Sequence, residues 1–482
     1  MVQPATTTSA SDRSLIDQAF TRASGAERIE GNRVRLLRDA AEHYPAWRDA
    51  IASAERYVYF ESYIIRDDDS GKLLADALKA RARDGVKVRV TYDWLGGLGK
   101  TSRRYLRDLR EAGVEVRCFN PFRFTRPLGW VRRNHRKSLV VDGTTASITG
   151  LCVGDEWVGD PARGIPPWRD TGIEVEGPAV TPIERAFADI WALVGPPIPA
   201  GERRADPVPL AGDIPMRVVA SEPHRAGLLL LDQLIASAAR ETLWLTDAYY
   251  SGLPSYVQAL RSAALDGVDV RLLLPGATDL PVVRMIGRTG YPALLEAGVR
   301  IFEWNGPMIH AKTAVADGRW SRVGSSNLNI ASWLANYELD AVIEDAGFAE
   351  TMMDQYETDL ANSTEVVLGV GRQRRQEKSN RGRGSAGRAA LVSIRLGNTL
   401  SAAVTSRRSV AVREAGIVAL AGGLAILAGI IAALWPRLIA IPFAIAIAWI
   451  GVGLLVRAYG MRGPMRPAAG KETPTQKRNL SG

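Results

Sequence analysis

Two short runs of the chain share one frame, His135-x-Lys137-x4-Asp142 and His310-x-Lys312-x4-Asp317. Only four histidines occur in 482 residues (His43, His135, His224 and His310), and two of them stand in this frame. One imidazole can attack or accept a proton while the other delivers one, and two ammonium groups neutralise an anion. A site composed of both runs suits an anion, a phosphate diester above all. No cluster with metal-ligand spacing accompanies them. The lysines and nearby amides are then the groups that carry the developing charge, and neither a metal nor a cofactor is expected.

Each frame reads as a strand running into a turn. If residues 135–141 are extended, His135 and Lys137 point to one side, and His310 and Lys312 do the same in the second copy. Asp142-Gly143 and Asp317-Gly318 are turn signals. The two aspartates are candidates for direct catalytic work, with turn chemistry as the other reading. After the second frame comes Gly324-Ser325-Ser326-Asn327, small residues that let hydroxyl, amide and backbone N–H groups approach phosphoryl oxygens. The first copy has Thr149-Gly150-Leu151-Cys152 there, so a thiol replaces the amide. Further on stand Trp168-Arg169-Asp170 and Asn336-Tyr337-Glu338. A carboxylate near each histidine would hold Nδ1–H and leave Nε2 to react. Surface carboxylates are the alternative.

The elements that position these groups repeat as well. Strand-like text occurs at 55–64 and again at 241–250. Gly-Val runs at 85–90 and 267–272 lie 182 residues apart, those at 111–116 and 296–301 lie 185 apart, and the His-Lys-Asp frames 175 apart. Four landmarks in one order imply a duplication. Strands alternating with helical text imply an α/β sheet covered by helices. The halves span 28–195 and 210–368, joined by a Pro-rich connector at 196–209 and preceded by a polar segment at 1–27. One chain supplies both frames, so the site requires no oligomer. Cys118 and Cys152 read as free thiols of a reducing compartment. Residues 1–25 contain no apolar leader, so no cleaved export signal is expected.

The net charge of +9 belongs to the C-terminal part. Residues 1–371 carry a net −6, residues 372–414 a net +9, and residues 457–482 a net +5. A mildly acidic folded region argues against a general nucleic-acid surface. Residues 415–435 and 438–456 are uncharged runs of 21 and 19 residues, each long enough to cross about 30 Å of hydrocarbon. Pro436 and Arg437 between them predict a transmembrane helical hairpin at 415–456, with a buried soluble hairpin as the alternative. Arginines flank it on both sides, which places both ends and the catalytic halves on the cytoplasmic side. The linker at 369–414 and the tail at 457–482 are basic, and the linker's Gly/Ser/Arg text suits anionic headgroups. Between 119 and 133, aromatic and arginine residues interleave. Phe122, Arg123, Phe124, Arg126 and Trp130 form a candidate membrane-interface segment, with an ordinary core-wrapping loop as the other reading.

The doubled His-x-Lys-x4-Asp frame resembles the phospholipase D superfamily over residues 28–368. The stretches Trp168-Arg-Asp-Thr-Gly-Ile-Glu-Val-Glu-Gly-Pro178 and His310-Ala-Lys to Gly-Ser-Ser-Asn327 are similar to its bacterial cardiolipin synthase branch. The resemblance implies an α/β/α sandwich with pseudo-twofold symmetry, and one active site between the halves. It implies that Lys137, Lys312 and Asn327 bind the phosphate, that His135 is the nucleophile, and that a phosphohistidine transfers a phosphatidyl group from phosphatidylglycerol to make cardiolipin at the bacterial cytoplasmic membrane. Two features depart from the branch. Cys152 stands where asparagine is usual, and the apolar hairpin follows the catalytic halves instead of preceding them. A phosphodiesterase acting on phospholipid or nucleic acid, and a catalytically weak lipid-binding scaffold, are the competing readings.

Overall fold

Short β-branched and aromatic runs between Gly-Val turns give fifteen strands among the described residues of the computed structural model, which are 10–122 and 132–367, with side chains from Asp17 onward. The first half contributes β1 (Ile29–Arg38), β2 (Tyr57–Ser62), β3 (Lys87–Asp93), β4 (Glu115–Phe119), β5 (Ser138–Val141), β6 (Thr145–Thr149) and β7 (Thr171–Glu176). The second contributes β8 (Ile214–Ser221), β9 (Thr242–Thr246), β10 (Asp269–Pro275), β11 (Arg300–Trp304), β12 (Thr313–Ala316), β13 (Trp320–Gly324), β14 (Glu338–Ile343) and β15 (Ser363–Val366). They form one sheet in the order β15-β11-β10-β9-β12-β13-β14-β8-β1-β7-β6-β5-β2-β3-β4. Read outward from the β8–β1 seam, both halves run through the same seven strands, and β15 is added at one edge. At the seam Ile29 faces Met216 and Asn32 faces Ile214.

Within each half the outer three strands are parallel, β2-β3-β4 and β9-β10-β11, and the inner ones antiparallel. Helices cover both sheet faces, so the central strands carry apolar residues on both sides. Strand β2 shows this directly. Val58 and Phe60 enter a core with helices Asp39–Ala52 and Asp69–Arg83, whereas Tyr57 and Tyr59 face the helix Val180–Leu193. Tyr59 stacks on Phe187 with ring centroids 4.9 Å apart. That second core also takes Met216, Val218, Leu339 and Ala341, so it binds the two halves into one body.

Part of the polar N-terminal segment, 1–27, packs on the second half. Residues Ala10–Ser24 form a helix against the helix Gly227–Ala238 of the second half. Phe20 is buried in that half's core, and the fully buried Arg217 donates to Thr21 Oγ1 at 2.7 Å and the Ala26 carbonyl at 2.8 Å. Residues 10–24 are therefore part of the second half's packing. The apolar runs at 415–435 and 438–456, the basic linker and the tail lie outside the described residues. Among the described residues no helix is long and apolar enough to cross a membrane. Both cysteines are free.

Asp142-Gly143 and Asp317-Gly318 are the corners of the β5–β6 and β12–β13 hairpins. Their φ values of 52° and 66°, and of 51° and 58°, are left-handed at both central positions, as a tight hairpin of this hand requires. The Asp142 carboxylate accepts the backbone N–H groups of Glu55, Arg56 and Tyr57, each at 2.8 Å. Asp317 accepts those of Arg240, Glu241 and Thr242 at 2.9, 2.8 and 2.9 Å. Each aspartate caps the entry of the neighbouring strand at the end of its hairpin remote from the histidine. This geometry corrects the catalytic assignment of Asp142 and Asp317. Their work is to close a turn and satisfy backbone donors. Asp142→Ala should lower unfolding free energy by about 2–4 kcal/mol in a denaturant titration, with turnover per folded molecule nearly unchanged. Lost turnover at unchanged stability would restore the catalytic role.

Candidate active site

His135 and Lys137 precede β5, and His310 and Lys312 precede β12, so the strands begin one residue after each lysine. The expectation of one strand from 135 to 141 therefore needs correction. The histidine segments leave the sheet because each pairs with backbone of the other half. His135 N–H donates to the Tyr337 carbonyl at 2.9 Å, and Tyr337 N–H donates to Arg133 at 2.8 Å. Across the pseudo-twofold, His310 N–H donates to the Arg169 carbonyl at 2.7 Å, and Arg169 N–H donates to Met308 at 2.9 Å.

This pairing exchanges carboxylates. His135 Nδ1 lies 2.9 Å from Glu338 Oε2, and His310 Nδ1 lies 2.7 Å from Asp170 Oδ2. Each histidine is thus held by an acid from the opposite half, and each Nε2 is left for reaction. The acids are themselves fixed. Glu338 accepts from Ser325 Oγ at 2.6 Å and from Asn336 Nδ2 at 3.1 Å. Asp170 accepts from Trp157 Nε1 at 3.2 Å and from Thr171 N–H at 2.9 Å. Gly150 permits this approach, because a Cβ there would stand 2.4 Å from Asp170 Oδ1. Ser325 and Ser326 turn their hydroxyls to Glu338 and Asp340, so both support carboxylates, and their expected aim at phosphoryl oxygens is corrected.

The two imidazoles and two ammonium groups share one electrostatic environment. Burial lowers the proton affinity of His135, and Lys137 and Lys312 add to this against Glu338. Burial, then Lys312 and Lys137, bring His310 to about 4 against the pull of Asp170. Each imidazole therefore feels the lysine of the other half as well as its own. Burial also lowers Lys312, to about 8, with Lys137 adding to it against Asp170 and Asp247. Burial opposes ionisation of Asp170 and Glu338, yet the facing histidine and lysine hold both below the usual carboxylate range. Lys137 Nζ donates to the His135 carbonyl at 2.6 Å, and Lys312 donates likewise to His310.

Several contributors carry no motif. Tyr63 meets His135 edge-on at 4.9 Å and lies 5.5 Å from Lys137 Nζ. Tyr249 repeats the arrangement with His310 at 5.7 Å and Lys312 at 5.9 Å. Trp157 and Trp168 add two indoles beside His310 at 5.8 and 5.9 Å. The fully buried Arg136 donates to the carbonyls of Ala186, Ser221 and Glu338 at 2.8, 3.0 and 3.1 Å, tying the first histidine segment to the second half. The only sequence signal for the tyrosines is their place just after the repeated strands β2 and β9. Cys152 is buried within electrostatic reach of Lys312, Tyr63 and Tyr249, and Asn327 is buried at the matching position. The Asn327 Oδ1 atom lacks a hydrogen-bond partner among the described residues.

The segment 119–133 divides. Phe119 is buried against Tyr337 at 5.5 Å, and buried Arg133 donates to Asp93 at 3.0 Å, so both ends belong to the interior. Phe122 is 41% exposed and stacks on Trp94. Arg123, Phe124, Arg126 and Trp130 lie outside the described residues.

Residues 47–152 and 231–360 match the family described as cardiolipin synthase, phospholipase D-like domain. A cardiolipin synthase of Alkalihalophilus pseudofirmus is 32% identical over 345 residues, covering 69% of this chain and 67% of the relative. The chain belongs to the cardiolipin synthase family. A second family member, the cardiolipin synthase of Halalkalibacterium halodurans, is also 32% identical, over 344 residues, with 69% and 67% covered. The crystal structure of phosphatidylserine synthase from Haemophilus influenzae matches with a TM-score of 0.57 at 13% identity, over 72% of this chain and 91% of that one, a likeness of fold. Membership makes the chain a phospholipase D-type enzyme of the phosphatidyltransferase group.

Asp170→Asn and Glu338→Gln keep shape but remove the charge that holds the histidine of the other half. Each should lower kcat on a soluble phosphodiester by roughly 10³–10⁴-fold with thermal unfolding little changed. Losses under about tenfold would show that the cross-half pairing does not orient the imidazoles. The lowered Lys312 loses its charge as pH rises through about 8, so kcat/KM should fall there. Lys312→Arg should move this alkaline limb upward, and a wild-type profile flat from about pH 7 to about 10 would refute it.

Proposed function

We propose that the protein makes cardiolipin from phosphatidylglycerol by phosphatidyl transfer through a phosphohistidine. The observation that carries the reading is the pair of imidazoles, each oriented by the opposite half's carboxylate and each sensing the same two lysines. A diester phosphate between them meets two ammonium groups. Its negative charge raises the proton affinity of the imidazoles, which are otherwise kept neutral by burial. His135 Nε2 attacks phosphorus, the bond from phosphorus to the headgroup oxygen breaks, and His310 Nε2–H protonates the departing glycerol. In the second half-reaction His310 takes the proton of an incoming hydroxyl, whose oxygen displaces His135 from phosphorus. A phosphatidylglycerol hydroxyl yields cardiolipin, and water yields phosphatidic acid. Lys137, Lys312 and the Asn327 amide neutralise charge at the phosphoryl oxygens. His135 is favoured as nucleophile by the family resemblance.

The substrate class draws support from a surface the sequence reading did not single out. The helix Pro281–Leu295 packs inward beside Tyr250 through Gly287, yet Val282 and Met285 are each 63% exposed and Ile286 is 49% exposed. These three share one helical face, a spacing that normally points inward. The loop before this helix receives the hydroxyl of Tyr249, the ring beside His310, on Asp279 at 2.8 Å. Phe122 and Leu98 offer exposed apolar side chains in the first half. Apolar surface at both halves suits a phospholipid bilayer better than a nucleic-acid backbone, whose capture needs clustered cations. The basic flanks of residues 415–456 favour the cytoplasmic leaflet, as argued from the sequence.

Purified protein incubated with labelled phosphatidylglycerol should release glycerol and form labelled cardiolipin, and His310→Ala should abolish both. Rapid denaturation at alkaline pH, which preserves the P–N bond, should trap label on His135. Phosphatidic acid as sole product would make the enzyme a hydrolase, and label on neither histidine would end the covalent scheme.

A further inference from the structure

Beside the site, on the far side of Trp157, lies a cleft of about 340 Å³. The helix Asp39–Ala52 supplies Ala40, Ala41, Tyr44 and Trp47, and the helix Asp69–Arg83 supplies Leu73 and Leu74. Val158 and Pro167 close it from the loop that leads to Asp170. The polar groups at its edge are engaged elsewhere. The Asp39 carboxylate accepts the Asp170 N–H at 2.8 Å, and the Ser70 hydroxyl donates to Asp155 at 2.6 Å. What faces the space is hydrocarbon and aromatic ring. Its mouth is apolar too, with Leu73 56% and Val158 44% exposed.

Trp157 joins this cleft to the chemistry. Its indole N–H holds Asp170, its ring lies edge-on to His310, and it also lines the apolar space. One indole therefore separates the cleft from the reacting imidazole. A water molecule takes about 30 Å³ in the liquid, and a methylene is of similar size, so the cleft accommodates on the order of ten carbons.

We propose that this cleft takes one acyl chain of the phosphatidyl donor while its phosphate lies between the histidines. The inference rests on the phosphatidyltransferase reading above. A glycerol ester sets its acyl chains a few bonds from the phosphate, about the thickness of a side chain, and Trp157 is the side chain in between. Arg48 lines the outer end of the cleft, exposed and without a carboxylate in ion-pair range among the described residues. It suits the anionic headgroup level of the surrounding bilayer. The cleft thereby selects donors by chain length, a role separate from phosphate capture.

The test fills the cleft from its exposed mouth with the double variant Ala41→Phe/Leu73→Phe. In the wild type, kcat/KM should rise with donor chain length up to about ten carbons and then level. In the variant that rise should disappear, with at least about a tenfold loss on long-chain phosphatidylglycerol and no more than about a twofold change on a soluble diester. Parallel chain-length profiles in wild type and variant would overturn the proposal. Binding is read independently of turnover by quenching of tryptophan fluorescence with phosphatidylglycerol carrying brominated chains. Quenching should be strong in the wild type and reduced both in the filled variant and in Trp157→Phe. Unchanged quenching in both would also overturn it. Failure to form cardiolipin with quenching intact would instead fault the reaction assigned above and leave the chain site standing.

Discussion

Exchange of carboxylates between the halves is the constraint on which the site depends. Glu338 holds His135 and Asp170 holds His310, so neither half contains a finished catalytic group. The duplication is therefore more than two similar domains side by side. Backbone pairing of residues 133–135 with Tyr337, and of 308–310 with Arg169, crosses the pseudo-twofold twice. A shift of one half against the other would lose both histidine orientations together. The shared core around Phe187, Met216 and Leu339, and the sheet seam at β1–β8, keep that shift costly.

Burial gives these pairs their strength and sets their protonation. Lysines 137 and 312 and both histidines are taken from water, which penalises every charge they carry. The carboxylates compensate by remaining ionised under the influence of the facing cations. The outcome is a site whose imidazoles stay neutral until an anion enters, with Lys312 tuned to about 8. A phosphate diester supplies the missing negative charge. Dipoles and ammonium groups already aimed at it need little reorganisation during reaction.

The symmetry is incomplete where function could differ between halves. Tyr63 and Tyr249 repeat faithfully, but only His310 is flanked by Trp157 and Trp168. Cys152 stands opposite Asn327 in the repeat, and Gly150 opposite Ser325. The glycine gives Asp170 room that a serine would fill, whereas Ser325 is used to brace Glu338. The His135 side is thus braced by a hydroxyl and the His310 side by indoles. Trp157 also borders the apolar cleft, which places lipid selectivity on the His310 side.

Sequence by itself determined the duplicated frame, the α/β class, the two His-Lys pairs and the carboxylates available to orient them. Those features are written in residue type and spacing, and periodic burial enforces them locally. It could not assign Asp142 and Asp317, because an Asp-Gly corner and a catalytic acid have the same text. Only the tertiary structure showed their carboxylates capping β2 and β9. It also decided that each acid serves the opposite half, that the N-terminal helix packs on the second half, and that Tyr63, Tyr249 and Trp157 line the site. Such contacts join residues distant in the chain, and His135 and Glu338 stand 203 positions apart. Chain distance carries no record of such pairings. They follow from two halves of one sheet meeting at a seam and burying their polar ends against each other.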